Sequence, residues 1–151
     1  MPYTRLFYHL IWSTKNRMAL ITPTIEANLF AYLHHKADAM ECRLLAVNGC
    51  DDHIHLVIEI PPTLTVADAV KQLKGASSHE FSELYWQRGY GALTVSERNL
   101  DTALRYIEQQ KVHHAQQTDL VRLERCDDFD EPGGAVSEER AGYQTQAEME
   151  F

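Results

Sequence analysis

The stretch Asp51–Ile60, DDHIHLVIEI, decides how the rest of this chain is to be read. Successive side chains of an extended strand point to opposite faces, so Ile54, Leu56, Ile58 and Ile60 share one face. His53, His55, Val57 and Glu59 share the other. Four aliphatic side chains on one face predict a strand laid on a core. Just upstream, Cys42–Cys50 (CRLLAVNGC) reads as a second strand, and Asn48–Asp52 supplies the turn residues between the two. The pair is expected to form a β-hairpin.

Working outward, Met1–Thr14 (MPYTRLFYHLIWST) is rich in aromatic and β-branched residues and predicts a strand with two useful faces. Thr22-Pro23 marks a helix start, after which Ile25, Leu29, Tyr32, Leu33, Ala37 and Met40 recur at helical spacing. Downstream, Pro61-Pro62 ends the second hairpin strand, because proline cannot continue a ladder. Thr65-Val66-Ala67-Asp68 resembles a capping box with aspartate in place of glutamate. Val66, Val70, Leu73, Ser77, Phe81 and Leu84 then trace a long helix. WQRGYG interrupts it, ALTVS reads as a short strand, and Ser96 or Asn99 caps a last helix expected to run to about Gln117. The order is β-α-β-β-α-β followed by α. That is an α+β, ferredoxin-like antiparallel sheet with helices on one face, plus a C-terminal helix.

A chain of 151 residues suits one domain. Its formal charge of −8 is unevenly placed, at −1 over residues 1–125 and −7 over residues 126–151. Residues 1–125 are therefore expected to form the domain, and 126–151 an acidic, mobile tail. The nearly neutral body leaves a nucleic-acid partner open without advertising one. No apolar run reaches membrane-spanning length and no signal-peptide plan opens the chain, so the cytoplasm is the expected location. Cys42, Cys50 and Cys126 show no C-x-x-C spacing and read as idle thiols.

His53 and His55 lie about 7 Å apart along one strand face, close enough to converge on one cation or one phosphate. Two solvent-facing histidines would give the same spacing. Two imidazoles alone under-coordinate a metal, so a metal reading needs further ligands. In NLDTALRYIEQQKVHH, Leu100, Ala103, Leu104 and Ile107 make a packing stripe, and Tyr106, Gln110 and His113 fall on a stripe beside it. A phenol can attack phosphorus once its proton leaves, and its intrinsic pKa near 10 calls for a cation nearby. Gln110 could ligate that cation. Tyr106 could equally be an ordinary amphipathic helix residue.

Taken together, DDHIHLVI and YIEQQKVHH resemble the His-hydrophobic-His motif and the tyrosine helix of the single-tyrosine HUH transposases. These are small transposases of bacterial insertion sequences that move as single-stranded DNA. Relatives include domesticated transposases associated with repetitive extragenic palindromes. YHLIWSTKNR, LKGASSHEF and WQRGYGALTVS extend the likeness over residues 3 to about 117. The resemblance implies that His53, His55 and Gln110 bind Mg²⁺ or Mn²⁺. It implies that Tyr106 attacks a phosphodiester to give a 5′-phosphotyrosine and a free 3′-OH. It also implies a homodimer acting at DNA hairpins, in which the tyrosine helix can dock on the partner's histidines, and no role at a membrane.

Lys71, Lys74, Gly75 and Ser78 share a face of the second helix, where cations beside small residues suit phosphate contact. Lys15 and Arg17 follow the first strand and could reach the same DNA. Each could also be a solvated surface charge. Trp12, Tyr85, Trp86 and Tyr90 could stack on bases or pack in the core. A non-catalytic nucleic-acid-binding module on the same fold is the alternative, but HIHLVIEI lacks the strand aromatics of RNA-recognition modules. Histidine-triad hydrolases and enzymes with H-x-T/S motifs are excluded by Val57, which stands two residues after His55.

Overall fold

A computed structural model describes residues 2–112. His113, Cys126, the expected end of the last helix and the acidic segment 126–151 lie outside the described residues. The elements are β1 (Phe7–Ser13), α1 (Pro23–Ala39), β2 (Arg43–Gly49), β3 (His53–Glu59), α2 (Val66–Glu80), β4 (Gly91–Val95) and α3 (Leu100–Glu108). Short 3-10 turns at Lys15–Arg17 and Glu97–Asn99 follow β1 and precede α3. The four strands pair antiparallel in the order β2-β3-β1-β4. This is the expected α+β, ferredoxin-like sheet.

Two boundaries differ from the sequence reading. β1 begins at Phe7 because its partners run out there: Phe7 stands opposite Glu59 and Val95, the last residues of β3 and β4. α2 stops at Glu80 because Phe81 turns extended, with φ −111° and ψ 97°. Phe81 and Leu84 still pack against the core, but from a loop. At the other end of α2, Thr65 Oγ1 accepts from the Asp68 backbone N–H at 3.0 Å, the cap its sequence suggested.

One sheet face carries Leu10, Trp12, Ile54, Leu56 and Ile58 against Leu29 and Leu33 of α1 and Val70 and Leu73 of α2. Each such aliphatic side chain contributes about 1.5–3 kcal/mol on leaving water. The opposite face is covered by α3, where Phe7, Val57, Leu93 and Val95 meet Ala103, Tyr106 and Ile107. A bulge between Leu44 and Ala46 resets the parity of β2, so that Ala46 stands opposite Val57 and Asn48 opposite His55 on the α3 side. Among the described residues, no helix is long and apolar enough to cross a membrane.

Candidate active site

β3 places its histidine face beneath α3, and both rings are buried with no exposed surface. Solvent-facing histidines are therefore excluded. Their ring centroids lie 5.1 Å apart at 77°. His53 Nδ1 is 2.7 Å from Asp52 Oδ1, and Arg17 Nε lies 3.4 Å from Asp52 Oδ2. A carboxylate can only accept, so neutral His53 carries its hydrogen on Nδ1 and its lone pair on Nε2.

β1 adds a third imidazole. His9, 1% exposed, sets its Nε2 2.8 Å from His55 Nδ1. The ring centroids are 5.0 Å apart and the planes only 18° from parallel. That centroid spacing nearly equals the nitrogen–nitrogen distance plus the two ring radii, its upper limit, so the rings meet edge to edge in nearly one plane. It is the geometry of a directed N–H···N hydrogen bond rather than of face-to-face stacking.

α3 buries Ala103, Tyr106 and Ile107, three and four positions apart along one side of the helix, and Gln110 is buried just past its C-cap at Gln109. The tyrosine stripe and the packing stripe are thus one surface. The Tyr106 ring stands 5.9 Å from His55 at 70° and 6.3 Å from His9 at 67°, all within a single chain. Gln110 is fully buried one turn beyond. The end of the helix is tied down by Asn48, whose Nδ2 donates to the Ile107 and Glu108 carbonyls at 3.0 and 3.2 Å. Lys111 Nζ in turn donates to Asn48 Oδ1, the Gly49 carbonyl and Glu26 Oε2 at 2.9, 2.9 and 2.8 Å. Gly49 lets β2 and β3 close up at the hairpin end, since a Cβ there would run into the His53 carbonyl oxygen.

The donor set suits a divalent cation. Among the described residues, no three His, Cys, Asp or Glu side chains form a metal-holding cluster. Gln110 is a buried amide just beyond the helix that carries Tyr106. The Asp52 contact to His53 Nδ1 has the form by which a carboxylate would orient a ligating histidine.

Of the DNA-binding candidates, Lys71 and Lys74 border one loop, whereas Arg17 turns to Asp52. Lys74 Nζ donates to the Gln87 and Gly89 carbonyls at 2.7 and 2.9 Å. The Asn16 backbone N–H, between Lys15 and Arg17, donates to Gln87 Oε1 at 2.8 Å. Lys71, Lys74, Arg88 and Tyr90 line a cavity of about 330 Å³. Ser78 stands apart, its hydroxyl turned back to the Gly75 carbonyl of its own helix at 3.2 Å. Trp12 is buried edge-on against Trp86, whereas Tyr85 is exposed. Burial pushes the Cys42 thiol up to about 11, which keeps it protonated and unreactive.

Sequence reasoning missed His9, Asp52, Asn48 and Lys111. Alternation along β1 places His9 with Phe7 and Ile11, yet only the pairing of Ile11 with His55 brings that face to the histidines of β3.

Fold and site together define an antiparallel α+β protein built round a buried histidine–tyrosine centre. Over residues 2–110 the chain matches the family described as "Transposase IS200 like". The protein belongs to the IS200-like transposase family. It is similar to the ISDra2 transposase TnpA of Deinococcus radiodurans, with 30% identity over 118 residues covering 70% of this chain and 84% of that protein. It is also 30% identical over 115 residues to the transposase for insertion sequence element IS200 of Salmonella typhimurium, covering 68% of this chain and 75% of that one. A crystal structure of a Deinococcus radiodurans protein assigned as a transposase superposes with a TM-score of 0.58 at 31% identity, covering 72% of this chain and 93% of that one. A REP-associated tyrosine transposase bound to a REP hairpin gives 0.60 at 14% identity, covering 76% and 72%, a likeness of fold.

Proposed function

We propose that this transposase nicks and rejoins single-stranded DNA at hairpin-marked ends, with Tyr106 as nucleophile. The observation that carries the reading is the Tyr106 ring 5.9 Å from His55, on a buried helix face followed directly by the buried Gln110. The phenolic oxygen attacks the scissile phosphorus as its proton leaves, and the bond from phosphorus to the 3′-oxygen breaks. The products are a 5′-phosphotyrosine and a 3′-OH. A second 3′-OH then attacks the phosphotyrosine and releases Tyr106. One phosphodiester is exchanged for another, so joining needs no ATP.

When held by His53, His55 and Gln110, a divalent cation (Mg²⁺ or Mn²⁺) supplies positive charge at the scissile phosphate and the leaving 3′-oxygen. Imidazole and amide donors lean toward Mn²⁺. Lys71, Lys74 and Lys15 contact DNA phosphates near the Gln87–Gly89 loop and Arg17 contacts them beside Asp52, with Ser78 at the margin. A structure of the same fold holds a REP hairpin, which supports a hairpin partner. The homodimer completes the reading, each protomer bringing its own Tyr106 beside its own His55.

The deciding experiment incubates labelled single-stranded oligonucleotide with protein and MnCl₂ and resolves the products on a denaturing gel. Wild type forms a covalent adduct; Tyr106→Phe forms none while retaining hairpin binding. Undiminished adducts from Tyr106→Phe remove the tyrosine from the reaction. No adduct from wild type under any metal condition would instead be the behaviour of a non-catalytic binding module.

A further inference from the structure

His9 lies outside the set His53, His55, Gln110 and Tyr106, yet it is buried and bonded to one of its members. Neutral imidazole has one N–H and one lone pair, so the His9–His55 contact fixes one ring's tautomer through the other. His55 Nδ1 is engaged by His9 at 2.8 Å, which leaves Nε2 as the only nitrogen His55 can offer to a cation. A lone pair on Nε2 requires the hydrogen on Nδ1. On the metal reading, the direction of the bond follows.

We infer that His9 is a positioning residue whose Nε2 accepts a hydrogen bond from His55 Nδ1–H, fixing His55 in the tautomer and ring plane that leave its Nε2 lone pair for the cation. This rests on the metal reading of His53 and His55. Asp52 does the same for His53 through a carboxylate, so both rings are oriented from their Nδ1 side. An imidazole acceptor in that place is uncommon, because ligating histidines usually donate to carboxylates, carbonyls or water. The nearly coplanar rings, 18° apart, also hold His55 against rotation about its Cβ bond.

The test separates ring shape from hydrogen bonding. His9→Phe keeps a planar ring and loses the acceptor. His9→Gln gives up the ring and keeps an acceptor oxygen near the place of Nε2. Long-range proton–nitrogen correlation spectra of metal-free protein read the His55 tautomer directly. Wild type and His9→Gln are expected to carry the hydrogen on Nδ1, and His9→Phe to lose that preference. In titrations followed by the electron paramagnetic resonance of MnCl₂, His9→Phe is expected to bind about 10–100-fold more weakly, with His9→Gln close to wild type.

A wild-type His55 with its hydrogen on Nε2 overturns the assignment, and that measurement stands even if His9→Phe fails to fold. So does a folded His9→Phe with wild-type tautomer and wild-type Mn²⁺ affinity. If wild type takes up no Mn²⁺ while the tautomer still follows residue 9, the metal reading falls and the positioning role stands.

Discussion

Burying an imidazole is costly unless its nitrogens are paired or put to use, and this sheet buries three on one face. Asp52 and His9 each bond one nitrogen of a β3 histidine, an outlay of polar contacts that plain packing would not need. If the pair serves a cation, chelator added to wild-type protein stops oligonucleotide cleavage, and excess MnCl₂ restores it. His53→Ala and His55→Ala lower single-turnover cleavage by more than the roughly 10–100-fold typical of outer-shell changes. Cleavage that persists in chelator would assign the histidines another purpose. The H-x-H spacing and the Tyr106–Gln110 interval were legible as chemistry at this scale. The third imidazole was not, because His9 has no periodic relation to residues 53 and 55 along the chain.

The decisive element is α3. Its buried side reads correctly from helical spacing, except that Tyr106 joins the packing surface instead of flanking it. Its end is fastened from another strand: Asn48 on β2 takes the last carbonyls, and Lys111 closes the arrangement onto Glu26 of α1. Helix ends leave carbonyls unsatisfied, and a side-chain donor there stabilises them. Asn48→Ala removes both contacts and takes one of the three acceptors away from Lys111 Nζ. It is expected to cost about 1–2 kcal/mol in denaturant melts. Hydrogen exchange across residues 103–110 should quicken while that of β1 and β3 stays unchanged. Equal loosening of sheet and helix would mean that Asn48 supports the fold generally rather than α3.

For the whole molecule, the sheet is a partition with an aliphatic core on one side and the histidine–tyrosine centre on the other. Leu56, on the histidines' own strand, is fully buried in the core that α1 and α2 cover. Leu56→Ala is expected to lower stability by about 2–5 kcal/mol through lost burial and the cavity left behind. In urea melts the midpoint should fall with the slope unchanged. Hairpin binding by the folded fraction should persist, since the substitution faces away from His53 and His55. A loss of Mn²⁺ uptake without loss of stability would show that the two faces are coupled.

Element order, strand faces and the helix stripe follow from residues within a turn or two of one another, because alternation and helical spacing are local properties of the backbone. What they determined was an antiparallel α+β sheet with two histidines on one face and a tyrosine helix after it. Register, the β2 bulge and the seating of α3 depend on segments far apart in the chain, and there only the folded molecule decides. The Leu44/Ala46 bulge illustrates the point: without that extra residue Asn48 would face α1 and α2, and the carbonyls of Ile107 and Glu108 would lose their donor. Pairing of β1 with β3 likewise brought His9 to His55. Competition among distant packing surfaces set these contacts, and no local pattern records its outcome.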